Sequence, residues 1–456
     1  MSVIVVSHRG PYRFERNDDG SFVAHRGAGG VVSALMPLLA DDPEAIWVAA
    51  AMNEDDGEAA LAGATGTVDI DLRLVDLDPA VHRMHYDVVS NGVLWFLFHG
   101  LFDRIRRPRF DLRFRDAWDA FTAVNETFAT HVADFAAEGD VVLVQDYQLA
   151  LVPAALRKRR PDLKIVHFTH TPFCGPDDIT MLPSDVGRTL CRSLAGGEAG
   201  FHTTRWARAF EDATRAVVGE PPVVPPFAAS LGPDVQSLEN VASSEATRVA
   251  ADAMADTVGD RLVVFRNDRI EPSKNIVRGF YAFDRLLEAR PGMRGRVVFV
   301  ARLYRSREHL PEYLAYGNEV EQTVARINER WGTRDWSPIV LDDRDDFPGS
   351  VAGMRRYDVL FVNPVRDGLN LVAKEGPIVN RRDGVLCLSP EAGAYDELRE
   401  AAFAVHPYDI EQAAGVLDDA LVMPLDERSA RARRLRALAG ARTPSRWLAD
   451  LVGHAS

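Results

Sequence analysis

One stretch of the sequence decides the fold: Asn363-Pro-Val-Arg-Asp-Gly-Leu-Asn-Leu-Val-Ala-Lys-Glu375-Gly376. It follows an apolar run at residues 357–363, which is typical of a strand buried in a parallel sheet. Good helix formers come next at residues 371–375, so the pattern predicts a strand, a polar turn and a helix. A helix start beyond the end of a parallel strand favours anions, because its first N–H groups and its dipole point at the ligand. By itself, the stretch is better explained as an ordinary loop with Asp, Gly and Asn as turn residues.

Length and charge limit the possible classes of protein. The chain has 456 residues, 46% of them hydrophobic, and a formal net charge of -14. The length predicts two domains, with three as the alternative, and the acidic balance disfavours nucleic acid and anionic membranes as partners. There is no run of about 18 or more apolar residues, and the first residues are typical of a strand rather than a signal peptide. The three cysteines show no metal-type spacing, so we expect a protein of the reducing cytoplasm.

Strand and helix patterns alternate along the whole chain, which predicts an α/β protein with parallel sheets. We expect two doubly wound halves facing across a cleft, with ligands beyond the carboxyl ends of the strands. Proline density rises and periodicity stops near residues 217–226, so we place the domains at residues 1–225 and 226–440. In the first half we expect a hairpin at residues 12–26, a strand near residues 67–72, and a helical region at residues 80–137 that residues 91–96 interrupt.

Charged and polar residues follow several predicted strands. They are Arg9, Asp146, His170, Arg269, Lys274 and Asp367. Each alone is more often a surface charge or a locally satisfied side chain, but their joint position at strand ends favours a site. Arg269 and Lys274 share one loop, which we expect to face the helix start after Asp367 and to hold a diphosphate leaving group. No Asp-x-Asp metal motif lies near them, so we expect protein cations rather than a metal ion to stabilise the leaving group.

These residues belong to motifs that recur, in order, through nearly the whole chain. They include Ser7-His-Arg9, Gly29-Gly30, Asn91-Gly-Val-Leu-Trp95, Gln145-Asp-Tyr-Gln-Leu149, His170-Thr-Pro-Phe173, Arg269 with Ser273-Lys274, Arg366-Asp-Gly-Leu-Asn-Leu-Val-Ala-Lys-Glu375 and Ala392-Gly-Ala394. In these motifs the chain resembles the trehalose-6-phosphate synthases, which are retaining glycosyltransferases with two facing Rossmann-like domains, the GT-B architecture. The resemblance implies that the last residues, 441–456, form a helix that crosses back to the first domain.

The resemblance also implies roles for individual residues. Arg269 and Lys274 would bind the donor diphosphate with backbone groups of Gly30, Leu371 and Val372, and Glu375 would bind the ribose. The transferred glucose would contact His170, Asp367, Gly368, Leu369 and Asn370. The acceptor's phosphate would contact Arg9, Tyr86, Trp95 and Arg307, and its hydroxyls Asp146. The implied reaction moves glucose from UDP- or GDP-glucose to glucose 6-phosphate with retention, and it needs no cofactor or metal.

Some positions depart from the family pattern, and these keep alternatives open. Asn275 and Cys174 replace a glycine and a proline, and residues 53–56 and 268–275 show some similarity to validamycin-type pseudo-glycosyltransferases. The donor base, uridine or guanosine, therefore stays open, as does a different phosphorylated acceptor such as glycerol 3-phosphate or an aminocyclitol phosphate. A non-catalytic sugar-phosphate sensor is disfavoured because Arg269, Lys274 and Asp367 are all retained. We expect small molecules as partners and leave a homo-oligomer open.

Overall fold

The computed structural model describes residues 2–27, 30–39 and 42–455. The chain divides into two compact units. The first unit comprises Met1–Leu231 and Pro444–Ser456, and the second comprises Gly232–Thr443. The change of unit thus comes after Leu231 rather than after residue 225, since the proline-rich segment leads into one more strand of the first unit.

The first unit contains a parallel sheet and a separate hairpin. Its strands are β1 Val3–Ser7, β2 Tyr12–Arg16, β3 Phe22–Arg26, β4 Ile46–Ala50, β5 Asp71–Val75, β6 Val141–Gln145, β7 Lys164–Thr169, β8 Glu198–Phe201 and β9 Phe227–Ala228. In the part of the chain that the structure describes, the sheet order is β5-β4-β1-β6-β7-β8-β9, with every pair parallel. Strands β2 and β3 pair antiparallel, which confirms the predicted hairpin.

Helices cover the first sheet. They are α1 Gly30–Leu39, α2 Glu54–Leu61, α3 Pro79–Arg83, α4 Trp95–His99, α5 Leu112–Phe135, α6 Val152–Arg159, α7 Pro176–Ile179, α8 Ser184–Ala195 and α9 Thr204–Val218. A π-helical segment, Met84–Leu94, joins α3 to α4 without a break. The predicted interruption at residues 91–96 is therefore wrong. Gly92 makes the wide helix possible, because a Cβ there would lie 2.8 Å from the Asp87 carbonyl oxygen.

The second unit repeats the parallel design. Its strands are β10 Leu262–Arg269, β11 Val297–Tyr304, β12 Ile339–Asp342, β13 Val359–Val362, β14 Val385–Leu388 and β15 Phe403–Ala404. Its helices are α10 Val235–Ala242, α11 Glu245–Val258, α12 Ile276–Ala289, α13 Pro311–Trp331, α14 Phe347–Arg356, α15 Val372–Val379, α16 Tyr395–Leu398, α17 Ile410–Leu421 and α18 Leu425–Ala439. Among the described residues, the sheet order is β12-β11-β10-β13-β14-β15, again with every pair parallel.

The last helix, α19 Pro444–His454, belongs to the first unit. Trp447 of this helix is fully buried and meets the Phe168 ring edge to face, with 5.2 Å between the ring centroids. Burial of a tryptophan against β7 is a large apolar contribution to stability, and it fixes the chain end on that sheet. No helix in the described ranges is both long enough and apolar enough to span a membrane.

In both sheets the order of the strands changes direction at the first strand of the unit, which is the topological switch point of the fold. In each, the chain first adds two strands on one side of the first strand and then continues on the other side, so β1 and β6 are neighbours in one sheet and β10 and β13 in the other. Ligands of doubly wound folds bind outside the carboxyl ends of the strands at such a point. Arg9 and Asp146 follow β1 and β6, and the stretch that begins at Asn363 follows β13.

Candidate active site

An ion pair lies at the switch point of the second unit. Lys274 ends the 3-10 turn after β10, and its Nζ lies 2.6 Å from Oδ2 of Asp367 in the loop after β13. Both side chains are 15% exposed. Burial opposes the charge of Lys274, but the carboxylates of Asp367, Asp268 and Glu271 outweigh it and raise the pKa of this lysine. The pair therefore keeps a positive charge fixed beside the start of α15.

Backbone pairing with a neighbouring segment holds the loop that carries Asp367. The Asp367 N–H donates to the Glu391 carbonyl, and the Gly393 N–H donates back to the Asp367 carbonyl, at 3.0 and 3.1 Å. The Ala394 N–H donates to the Leu369 carbonyl at 2.7 Å. A Cβ at Gly393 would lie 2.0 Å from the Gly368 carbonyl oxygen, so only glycine allows the two segments to approach this closely.

Asn370 connects the ion pair to the helix start. Its φ of 77° lies in the left-handed region, which asparagine tolerates better than most residues. Its Nδ2 donates to Asp367 Oδ2 at 3.1 Å, and its Oδ1 accepts from the Ala373 N–H at 3.2 Å. Asn370 thereby satisfies one N–H group of the first turn of α15 and turns Leu371 and Val372 into the helix.

A buried acid orients two arginines beside this loop. The side chain of Glu271 is 2% exposed. Its Oε1 forms an ion pair with Arg269 Nε at 3.0 Å and lies 3.9 Å from Nη1 of Arg307. The Glu271 charge raises the pKa of Arg269, against the opposing effects of burial and of Arg307. Arg307 has a φ of 51° and donates to the Tyr313 hydroxyl at 2.7 Å. Glu271 is not among the residues predicted for the site, because an acid in a loop gives no sign in the sequence that it folds inward.

Hydrogen bonds from two further residues, Arg266 and Asn275, hold the turn that carries Lys274. Neither residue is among those predicted for the site. Arg266 is 1% exposed, pairs with Asp268 at 2.8 Å, and donates to the Lys274 carbonyl at 3.0 Å. Asn275 has a φ of 57° and donates to the carbonyls of Asn363 and Pro407 at 2.9 and 2.6 Å. The left-handed backbone explains the glycine that the family pattern has here, and the side chain of Asn275 adds two hydrogen bonds to that geometry.

Glu375 lies one turn into α15 and is partly exposed. Burial raises its pKa to about 7, so this carboxyl is poised between its neutral and charged forms near neutral pH. A carboxyl in this state can accept hydrogen bonds from hydroxyl groups, and those bonds favour its charged form.

In the first unit, Arg9 and Tyr86 come together at the end of β1. The guanidinium carbon of Arg9 lies 5.5 Å from the centre of the Tyr86 ring, and Arg9 is exposed. Tyr86 belongs to the π-helical segment and is 8% exposed. Trp95, at the start of α4, is buried and stacks on His99, with 4.3 Å between the ring centroids. Of these three side chains, only that of Arg9 is both charged and exposed to solvent.

Asp146 has a strained backbone at the end of β6. Its φ of 68° and ψ of 169° fall in a region that is almost confined to glycine. Its Oδ1 accepts from the His170 N–H at 3.1 Å, and the next residue, Tyr147, donates its hydroxyl to Asn91 Oδ1 at 2.9 Å. The bond to Asn91 ties this loop to the helix that carries Tyr86 and Trp95. Such strain in a loop at a switch point is typical of a functional residue.

His170 is a neutral imidazole inside a hydrogen-bond network. Burial lowers its pKa to about 3. Its Nε2 lies 2.9 Å from Gln145 Oε1 and its Nδ1 lies 3.1 Å from His202 Nε2. A side-chain contact with glucose would therefore have to replace one of these two partners.

The remaining predicted residues are Gly30, Gly368 and Leu369. Gly30 is exposed and begins α1, while Ala28 and Gly29, which complete the predicted glycine loop, lie outside the described residues. Gly368 and Leu369 lie in the loop between Asp367 and Asn370. In the second unit the structure brings together Lys274, Asp367 and Asn370, and it places Arg269 and Arg307 on the shared acid Glu271. Gly368, Leu369, Leu371, Val372 and Glu375 belong to the same loop and helix start as Asp367 and Asn370. In the first unit it brings together Arg9 with Tyr86 and Asp146 with His170.

Comparison with known proteins agrees with this geometry. The sequence matches glycosyltransferase family 20 over residues 1–456. The trehalose-6-phosphate synthase of Mycobacterium avium (strain 104) is 34% identical over 470 residues, which cover 97% of this chain and 93% of that protein. The crystal structure of an alpha,alpha-trehalose-phosphate synthase (UDP-forming) from Burkholderia xenovorans in complex with glucose-6-phosphate has a TM-score of 0.85 and 26% identity, with 100% of both chains covered. An E. coli structure described as bound with UDP-2-fluoro glucose has a TM-score of 0.85 and 25% identity, covering 100% of this chain and 99% of that chain.

Two Rossmann-like units with parallel sheets, each with charged residues at its switch point, define a glycosyltransferase of the GT-B class. Within that class, the chain belongs to glycosyltransferase family 20.

Proposed function

We propose that this glycosyltransferase moves glucose from UDP-glucose to glucose 6-phosphate with retention of the anomeric configuration, giving α,α-trehalose 6-phosphate. The observation that carries the proposal is the Lys274–Asp367 pair beside Arg269 at the switch point of the second unit. The similar structures from Burkholderia xenovorans, UDP-forming and in complex with glucose-6-phosphate, and from E. coli, bound with UDP-2-fluoro glucose, support this donor and this acceptor over the alternatives.

In the second unit, the donor would be bound from its leaving group outward. Arg269 and Lys274 take the diphosphate by charge-assisted hydrogen bonds, and the N–H groups at the start of α15 point toward its negative charge. Asp367 and Asn370 orient the glucose, and Glu375 accepts hydrogen bonds from the ribose. The carboxylate of Glu271 holds the Arg269 side chain in place, so the positive charge is already positioned before the substrate binds.

In the first unit, the acceptor would be bound at its phosphate and its hydroxyls. Arg9 supplies the exposed positive charge above the Tyr86 ring, and the buried Trp95 begins the helix that follows the Tyr86 segment. Asp146, held by its bond to the His170 N–H, accepts hydrogen bonds from sugar hydroxyls. Removal of the Arg9 charge would thus weaken binding of any phosphorylated acceptor.

The reaction would break the bond between glucose C1 and the diphosphate oxygen and form a bond from C1 to the acceptor oxygen on the same face. The acceptor's proton passes to the departing phosphate oxygen, so no side chain has to act as the base. Arg269 and Lys274 carry the electrostatic role that a metal ion has in other phosphate chemistry, and transfer proceeds without added Mg²⁺.

The test is a grid of donors and acceptors in which release of the nucleoside diphosphate is measured. We expect the highest kcat/KM for UDP-glucose with glucose 6-phosphate, the same rate with and without added Mg²⁺, and a product whose new bond is α by NMR. A preference for GDP-glucose would change the proposed base of the donor from uridine to guanosine and leave the rest of the proposal intact. Turnover with glycerol 3-phosphate or an aminocyclitol phosphate but none with glucose 6-phosphate would refute the acceptor, and no turnover in any combination would favour a sensor.

A further inference from the structure

Three histidines of the first unit converge beside Arg9 and Tyr86. His8 follows β1, His82 lies in α3, and His85 lies in the π-helical segment. Each ring offers one nitrogen atom, and these atoms all lie within 4.8 Å of one another. The Nε2 atoms of His8 and His82 are 2.9 Å apart. His8 and His85 are buried, and His82 is partly exposed.

The hydrogen bonds of this three-histidine cluster leave one lone pair without a partner. His85 Nε2 lies 2.9 Å from the Gln148 carbonyl oxygen, which can only accept, so the hydrogen of this ring is on Nε2. Nδ1 of His85 then carries a lone pair, and it is buried without a hydrogen-bond partner. Buried polar atoms in folded proteins nearly always have partners, so this nitrogen requires an explanation.

Packing explains where the rings lie but not how their nitrogens are arranged. The His8 ring stacks on Tyr86 at 4.6 Å with an interplanar angle of 7°, and His85 stacks on Phe121 at 5.1 Å. Phenylalanine or tyrosine would provide the same stacking without burying ring nitrogens. Burial lowers the pKa of all three histidines, which keeps them in the neutral form that ligates metal ions.

We propose that His8, His82 and His85 bind one divalent transition-metal ion of the zinc type, with a fourth coordination position on the partly exposed side of His82. Three imidazoles without a carboxylate among them favour Zn²⁺, Co²⁺, Ni²⁺ or Cu²⁺ over Mg²⁺ or Ca²⁺. The bond from His85 Nε2 to a backbone carbonyl is the outer contact that orients metal-binding histidines. Nitrogens that share a tetrahedral Zn²⁺ lie about 3.3 Å apart, so His8 and His82 would separate by only a few tenths of an ångström.

The site would act on the acceptor half rather than on the leaving group. His8 precedes Arg9 in the chain and stacks on Tyr86, so a bound ion fixes the two residues that we assign to the acceptor's phosphate. The positive charge of the ion would also strengthen the hold of this region on an anion. This consequence rests on the proposed function, whereas the metal site itself does not.

Metal binding by the full, tag-free chain tests the site without any sugar substrate. After chelator treatment and its removal, the protein is titrated with Co²⁺ and then with Zn²⁺. We expect one equivalent of Co²⁺ to give the intense visible absorption of a four-coordinate site, and Zn²⁺ to displace it. Weak absorption typical of six-coordinate Co²⁺, or binding well below one equivalent, would overturn the proposal whatever the transferase assay shows.

Two variants make the test specific to the cluster. His82→Gln removes the most exposed of the three ligands and should weaken Zn²⁺ binding by about tenfold or more, since even outer contacts of metal sites contribute this much. His25→Gln, on the exposed hairpin strand β3, is the matched control and should bind as the wild type does. Zn²⁺ should raise the unfolding midpoint of the wild type and of His25→Gln but not of His82→Gln. Equal Zn²⁺ affinity in His82→Gln and wild type would contradict the assignment.

Discussion

Lys274 and Asp367 meet at 2.6 Å between the loops that follow β10 and β13, the two strands on either side of the switch point. They are far apart in the sequence, and each is 15% exposed. The pair therefore connects the two parts of the proposed donor site. Lys274 is assigned to the diphosphate, and Asp367 is assigned to the glucose.

A double-mutant cycle measures this relationship. Lys274→Met and Asp367→Asn should each lower the free energy of unfolding by on the order of 3 kcal/mol, because each removes the direct ion-pair partner of a mostly buried charge. The double variant should lose clearly less than the sum of the single losses. Denaturant unfolding of the four proteins gives the coupling energy. Additive losses would show that the two groups do not interact in solution.

Gly393 should be needed for the loop that carries Asp367. In Gly393→Ala, the new Cβ would lie 2.0 Å from the Gly368 carbonyl oxygen, so the loop must move and donor turnover should fall steeply. Gly415→Ala, in α17, is the matched control, because a Cβ there meets no atom within 4 Å. Steady-state rates for both variants check the prediction. Wild-type activity in Gly393→Ala would mean that the loop adjusts without cost.

Donor binding should release protons through Glu375. Its pKa in the free protein is about 7, and ribose hydrogen bonds to the carboxylate would lower it. Affinity for UDP should therefore rise as the pH rises through about 7. Calorimetry in buffers of different ionisation enthalpy measures the released proton, and Glu375→Gln should abolish the release. Proton uptake by the wild type would give the opposite sign and contradict the ribose assignment.

The same group has a defined effect on folding stability. The folded state binds more protons than the unfolded state between the ordinary pKa of glutamate and about 7. The stability that this proton contributes is present at low pH and is lost as the pH rises through that window. The unfolding midpoint of Glu375→Gln should therefore show less decline with pH than the wild type. An equal decline in both proteins would place the titrating group elsewhere.

Replacement of Asp146 should affect stability and acceptor binding in different ways. Asp146→Gly relieves the strained backbone and Asp146→Ala keeps it, while both remove the carboxylate that binds the His170 N–H. Asp146→Gly should therefore be the more stable of the two by about 1–3 kcal/mol, and both should lose affinity for the acceptor. Thermal midpoints and the acceptor KM test this. Equal stability of the two variants would mean that the backbone at residue 146 is not strained.

Much of this architecture follows from sequence pattern. The alternation of strand and helix patterns predicted the parallel sheets that the structure contains, and the pattern at residues 12–26 predicted the hairpin. The stretch after residue 363 was predicted as strand, turn and helix, and Lys274 was predicted to face it. These features depend on local periodicity and on the shared edge of parallel strands, both of which a sequence contains.

Other features depend on tertiary context that the sequence does not display. Asn91-Gly92 is typical of a helix break, yet the bond from Tyr147 and the close approach to the Asp87 carbonyl keep the helix continuous. Likewise, neither the inward turn of Glu271 nor the convergence of His8 with His82 has a signature in spacing, because folding brings these partners together from separate segments.

The most direct test of the switch-point assignment is kcat/KM for UDP-glucose with saturating glucose 6-phosphate in Arg269→Ala, set beside Arg285→Ala. Arg285 pairs with Glu288 and Glu411 on the surface of α12 and serves as the matched control. We expect a loss of about a hundredfold or more for Arg269→Ala, because a preorganised leaving-group contact is removed, and a near-normal value for Arg285→Ala. A near-normal value for Arg269→Ala would contradict the leaving-group role of this arginine.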